Sequence, residues 1–187
     1  VTGGAGYIGS HMILGLLDRG ESVATIDNLS TGQEGLIPLE AKFHHGDISD
    51  NDLVARVIKD DGIDTIIHFA GSIVVPESVA DPLGYYFYNT VKSHGLISAA
   101  VEHGVSNFIF SSTAAVYGTP ETLPVDEDAA LHPESPYGSS KRMTEIMMQD
   151  ASQASDLKYG ILRYFNVAGA DPRGRSGQSS EKRTHLI

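Results

Sequence analysis

Apolar and polar residues follow two periods along this chain, and the period switches several times. Ile8, Met12, Leu16 and Leu17 recur at helical spacing, with Ile13 and Leu14 widening the stripe. A helix is therefore predicted after Gly9, ending at Arg19-Gly20, a basic last turn with a glycine stop. Residues 22–26 read as a short strand ending at Asp27, followed by the loop Asn28-Leu29-Ser30-Thr31-Gly32. A strand is predicted near residues 41–44, closed by Gly46-Asp47-Ile48. Asp50 is placed to cap a helix carrying Leu53, Val54, Val57 and Ile58. Further strands are expected at 64–71, 107–112 and 158–164, one long helix at 82–103 before Gly104, and another helix at 137–154. Strands alternating with helices predict an α/β fold, a doubly wound parallel sheet of the Rossmann type with helices on both faces.

The glycines at the start of the chain give this frame a chemistry. In Gly4-x-Gly6-x-x-Gly9, side chains are missing where a strand must turn, where backbone must approach a pyrophosphate and where a helix must pack on a strand. The helix that follows points unpaired N–H groups and the positive end of its dipole at that site. Asp27, ending the next strand, stands where a carboxylate accepts hydrogen bonds from an adenosine ribose and repels a 2′-phosphate, which favours NAD over NADP.

Composition narrows the partners. The 187 residues are 41% hydrophobic and 20% charged, enough for one buried core, and the formal net charge of −11 disfavours nucleic acid and anionic membrane surfaces as partners. The chain has no cysteine, so neither disulfides nor thiolate metal sites arise, which is compatible with a reducing, cytoplasmic setting. No apolar run reaches the roughly 18 residues of a membrane span. Adjacent His44 and His45 on a strand point to opposite faces, against shared metal ligation, and the acidic run Asp126-Glu127-Asp128 reads as a solvated face. Because Val1-Thr2 leaves little strand ahead of the glycines, a fragment is expected.

Tyr137 and Lys141 lie one helical turn apart, on one face of the predicted helix at 137–154. A free phenol, with a pKa of about 10, is a poor base at neutral pH. A nearby ammonium and the positive ring of an oxidised nicotinamide would lower it toward general-base use. A hydroxyl at the end of the preceding strand, Thr113 or Ser112, is positioned to share the substrate's hydrogen bond.

These segments occur in order with Gly46-Asp47-Ile48, His68-Phe69-Ala70-Gly71, residues 111–118, Pro136-Tyr137-Gly138-x-Ser140-Lys141 and Arg163-Tyr164-Phe165-Asn166. Together they resemble the extended short-chain dehydrogenase/reductase family, and within it the UDP-sugar 4-epimerases. The resemblance implies tightly bound NAD, a UDP-sugar substrate, and interconversion of UDP-glucose and UDP-galactose through a 4-keto sugar. It implies a cofactor domain over 1–164 and the start of a sugar-nucleotide region over 165–187, too little for turnover by this chain alone. By position, Gly3, Gly6, Tyr7, Ile8 and Gly9 would line the pyrophosphate, and Asp27, Asn28 and Thr31 would serve the ribose. Asp47 and Ile48 would contact the adenine. Phe69, Ala70, Gly71, Asn89, Ser111 and Tyr164 would flank the cofactor; Thr113, Tyr137 and Lys141 would form the catalytic set; Asn166 would join Thr113 and Tyr137 at the substrate. The resemblance also suggests a homodimer through the apolar faces near 83–101 and 137–154, for which packing within one subunit is the alternative. Ile73 stands where many relatives have lysine, and Lys92-Ser93 where a Gly-Thr pair is common. Ala114 and Ala115 occupy positions where sugar-nucleotide dehydratases carry acidic residues.

Overall fold

The computed structural model describes residues 1–178. Five short strands run parallel: β1 (Ala24–Asp27), β2 (Lys42–His45), β3 (Thr65–His68), β4 (Asn107–Ser111) and β5 (Lys158–Leu162). β1 pairs with β2, and β3, β4 and β5 pair in that order. Thr2 bridges to Ile26 on one side and to His68 on the other, which joins the two groups. The spatial order is thus β2, β1, Thr2, β3, β4, β5. It reverses at Thr2, and in open α/β sheets the crevice beyond the strand ends at such a reversal is where ligands bind.

Parallel neighbours need crossover helices, and the chain supplies them. α1 (Tyr7–Asp18) follows Thr2, and its buried side is Gly9, Ser10, Ile13 and Leu14, slightly rotated from the Met12–Leu16 stripe read in the sequence. α2 (Asn51–Asp60) buries the four expected residues, Leu53, Val54, Val57 and Ile58, and Asp50 accepts from Leu53 N at 2.9 Å as its cap. Such a cap is worth about 1 kcal/mol, and each buried aliphatic side chain about 1.5–3 kcal/mol. Ala24 and Ile26 of β1 enter one apolar cluster, shared with α2, while the neighbouring Val23 enters a second with Ile13 of α1. Successive strand residues point to opposite faces, so both faces of the sheet are covered.

The expected helix over 82–103 is segmented. α3 (Val75–Ala80) precedes it; then α4 (Pro82–Tyr85), a π-helical stretch at Tyr86–Val91 and α5 (Lys92–Glu102) follow without a break. The wide turn has a local cause: the Asn89 carbonyl accepts from the hydroxyls of Ser93 (2.5 Å) and Thr144 (3.1 Å), which compete with the helical ladder. α6 (Pro136–Ala154) begins at Ser135, whose side chain accepts from Gly138 N, with proline at the first helical position.

Beyond β5, residues 163–178 form no helix or strand. They fold back on α1: Tyr7 Oη donates to Gly169 O at 2.5 Å, Ser10 and Ser176 hydroxyls meet at 2.7 Å, and Arg175 forks onto Asp18 at 2.8 and 2.9 Å. Residues 179–187 of the expected second region lie outside the described residues. Among the described residues, no helix is long and apolar enough to cross a membrane.

Candidate active site

The glycine turn is built by contact, not by flexibility alone. Gly3 has φ +73°, and a Cβ there would fall 2.7 Å from Ala70 N, so β3's exit presses against it. A Cβ on Gly9 would fall 2.1 Å from Gly3 O, because α1 crosses directly over the turn. Gly6 faces outward, its nearest neighbour being Gly3 O at 3.3 Å, and it opens α1 with no side-chain cap. The turning glycine is therefore Gly3, not Gly4 as the spacing suggested. Gly4 is instead held against Thr25, whose Oγ1 would lie 2.1 Å from an added Cβ. The backbone amides of this first turn make a cradle of the kind that suits an anion.

Asp27 is buried and holds that cradle: its Oδ2 accepts from Ala5 N and its Oδ1 from Leu29 N, both at 2.9 Å. Each oxygen accepts one bond and keeps capacity for another. Asn28 donates to Asp47 Oδ2 at 2.8 Å, Lys92 donates to the same oxygen at 2.6 Å, and Thr31 is exposed in the loop after β1. These contacts hold the Asp47 carboxyl well below its ordinary range despite partial burial, which opposes them. Ile48 differs from expectation: its side chain lies in the hydrophobic core, so it offers an adenine ring only backbone. Ile8 is half-buried on α1.

Across Thr2, Phe69 N donates to Thr2 O, and Phe69 and Ala70 are half-buried at the exit of β3. Gly71 comes next, and a Cβ there would fall 2.8 Å from Asn89 Oδ1 and 3.5 Å from Lys141 Nζ. Asn89 itself is buried, and its amide is engaged by the protein: Oδ1 accepts from Ser72 N, and Nδ2 donates to Ser72 O and Ser140 Oγ. It acts as a clasp between the β3 exit and α6, with both amide N–H donors engaged. Ile73 is exposed.

Lys141 is buried on α6, with Nζ donating to Ser111 O at 3.1 Å and lying 4.9 Å from the Phe110 ring centre. Burial lowers its pKa to about 8. Two of its three N–H donors have no partner among the described residues, the right inventory for ribose hydroxyls. One turn earlier on α6, Tyr137 lies beside the Thr113 hydroxyl, which favours its phenolate, and near the Tyr164 phenol. Tyr164 in turn bonds the Ser111 hydroxyl. Of the two candidate hydroxyls, Thr113 meets Tyr137, whereas Ser112 turns away and donates to Glu145 at 2.5 Å. Asn166 is exposed beyond β5.

One expectation about this cluster is reversed. Burial raises the Tyr137 phenol above its ordinary value, and the group opposing that rise is Thr113, not the Lys141 ammonium, which is turned toward Ser111. The tyrosine, the lysine and the threonine nonetheless gather at the carboxyl ends of β3, β4 and β5, beside the glycine turn.

The sequence profile of the NAD dependent epimerase/dehydratase family matches residues 1–187. The chain belongs to that family. It is 54% identical over 187 residues to a UDP-glucose 4-epimerase of Azospirillum brasilense, covering 100% of this chain and 54% of that protein. A crystal structure of a UDP-glucose 4-epimerase matches with a TM-score of 0.96 and 43% identity, over 99% of this chain and 56% of that one. The UDP-glucose 4-epimerase from Brucella ovis, in complex with NAD, matches with a TM-score of 0.95 and 40% identity, over 99% and 57%. The chain spans about half the length of these relatives.

In this epimerase/dehydratase domain, two buried polar groups escaped the sequence reading. Glu145 sits one further turn along α6 from Lys141, on the face of Tyr137 and Lys141, and a charged residue at that period on a buried face was a legible signal. His68 is fully buried, stacked 5.6 Å from Phe110. Ser93 donates to Asn89 O, so it must accept from His68 Nε2–H (2.9 Å), leaving Nδ1 to accept from the Thr2 hydroxyl (2.7 Å). A single neutral tautomer thus ties the glycine turn to the Asn89 clasp.

Proposed function

We propose that this chain forms the cofactor-binding part of a UDP-glucose 4-epimerase that interconverts UDP-glucose and UDP-galactose with tightly bound NAD. The observation that carries the reading is the meeting of Tyr137 with Thr113, and of Lys141 with the Ser111 carbonyl and Gly71, at the strand ends beside an uncapped helix N-terminus. The cradle fits a dinucleotide: Gly3 and Gly9 leave no room for side chains, Gly6 presents bare backbone, and Asp27 supplies acceptors for a ribose. When bound, NAD supplies the reversible hydride acceptor for the sugar carbon.

Within that reading, the α1 amides bind the pyrophosphate, Asp27, Asn28 and Thr31 take the ribose, and Lys141 holds the second ribose while keeping positive charge near Tyr137. Tyr137 takes the proton of the sugar 4-hydroxyl and returns it, with Thr113 orienting the same oxygen. Asn166 and Tyr164 border the sugar. Ala114 and Ala115 carry no transferable proton, which argues against dehydration. Residues 1–164 form the cofactor domain in this reading, and 165–187 begin the sugar region. The 187-residue chain is expected to bind NAD without turning over sugar.

A homodimer belongs to the same proposal. Leu83, Phe87 and Val91 form one row on the outer side of the α4–α5 run, 77%, 49% and 55% exposed, and Met143 and Ile146 on the adjoining α6 are 45% and 42% exposed. A second copy presenting the same two helices would cover them. A cytoplasmic location is proposed with it, for a fold that uses no disulfide.

The test is product chromatography with the full-length protein and UDP-galactose. Tyr137→Phe is expected to lower kcat by roughly 10²–10⁴-fold with NAD still bound. Near-normal turnover by that variant would refute the assignment.

A further inference from the structure

Glu145 is fully buried and makes four contacts. Its Oε1 accepts from Ser112 Oγ (2.5 Å) and Arg163 Nε (3.0 Å), and its Oε2 from Arg163 Nη2 (2.8 Å) and Arg142 Nη1 (3.2 Å). Arg163 is held further by Tyr117 Oη (3.2 Å) and Glu127 O (3.3 Å). Ser112 immediately precedes Thr113, and Arg163 immediately precedes Tyr164. One carboxylate on α6, two turns beyond Tyr137, therefore grips the residue next to each of Tyr137's two hydroxyl neighbours.

Buried ion pairs are seldom the cheapest way to stabilise a core, since apolar residues of similar volume often serve as well. A bidentate pair does something apolar packing does not: it fixes angle and register between the elements it joins. Here those elements are α6 and the ends of β4 and β5. We propose that Glu145 is a positioning residue that sets the approach of the Thr113 and Tyr164 hydroxyls to the Tyr137 phenol. It touches no reacting atom and acts through Ser112 and Arg163.

Tyr137 is faced by Thr113 after β4, Tyr164 after β5 and Tyr85 of α4, with Glu77 of α3 reaching Tyr85, while Lys141 one turn along α6 is turned toward Ser111. The Thr113 hydroxyl beside Tyr137 favours the phenolate, so moving it away shifts the phenol's titration upward. The activity arm of the following test rests on the epimerase reading, whereas the titration arm does not.

In the titration arm, this chain is made with Cζ-labelled tyrosine and Tyr137 is followed by NMR against pH, in wild type, Ser112→Ala and Glu145→Gln. Both variants are expected to titrate Tyr137 higher than wild type, by roughly half a pH unit or more. Ser112→Ala leaves the Arg163 pair intact, so it reports even if Glu145→Gln does not fold. In the activity arm, the full-length variants are expected to lose roughly 10-fold or more in kcat at neutral pH, with KM for the UDP-sugar within about 3-fold, and the acid limb of the kcat profile moving to higher pH. A wild-type Tyr137 titration in folded Ser112→Ala overturns the positioning role, whatever the activity. A shifted titration in a full-length protein that epimerises nothing upholds the positioning role and removes the epimerase reading instead.

Discussion

Burial raises the Tyr137 phenol above its ordinary value, so the group is protonated throughout the neutral range. His68 shows the same force acting on the opposite kind of group: burial first, then the Lys141 ammonium, lowers its pKa from 6.5 to about 3. The unfolded chain therefore takes up a proton that the folded chain refuses between those two values. The His68 contribution is complete above pH 6.5 and is lost as pH falls toward 3, at about 1.4 kcal/mol per unit. Urea unfolding of this chain at a series of pH values is expected to show that slope, and His68→Gln is expected to flatten it. At this scale the sequence disclosed residues whose constraints are local: Gly9 under α1, Asp27 at a strand end, Tyr137 and Lys141 one turn apart. It did not disclose which of Ser112 and Thr113 faces Tyr137, because Glu145 and Arg163 decide that, and Arg163 arrives from β5.

Helices carrying both a cap and an apolar stripe were legible, as α2 shows with Asp50 and its four buried aliphatics. α3 has six residues and buries only Ser78, so it offers no stripe to read. The π-helical stretch depends on hydroxyls of Ser93 and Thr144 reaching one carbonyl, the second of them from α6. Lys92-Ser93 also gains meaning here: Lys92 pairs with Asp47 and lies 5.1 Å from the Tyr88 ring centre, while Ser93 closes the His68 chain. Asn89 is the element's keystone. Replacing it with alanine strands Ser72 N and leaves a polar void, at a cost of about 2–3 kcal/mol. Denaturant melts of Asn89→Ala are expected to show that loss, together with a circular dichroism change confined to the helical signal.

The described residues build a parallel sheet whose strand order reverses at Thr2; the alternation of strand and helix periods foretold the doubly wound sheet but not where its order reverses. What the periods could not distinguish was packing within a subunit from packing between subunits. Leu83, Phe87, Met143 and Ile146 belong to helices that also bury an inner face, and only the folded chain shows which residues remain outside. If the proposed dimer forms through this row, Phe87→Glu in the full-length protein is expected to convert it to a monomer by sedimentation velocity, with NAD affinity unchanged within about 3-fold, since a charge in an apolar seam is expensive to desolvate.

The return of residues 169–176 onto α1 has an operational consequence. Arg173 and Arg175 are pinned to Asp18 by exposed ion pairs, the kind that dissolved salt weakens most readily. Trypsin cuts after arginine, so raising ionic strength should hasten cleavage at these two sites while far-ultraviolet ellipticity stays constant. The length of the nicked product, read by mass spectrometry, would then report how firmly this strap guards the helix beneath it.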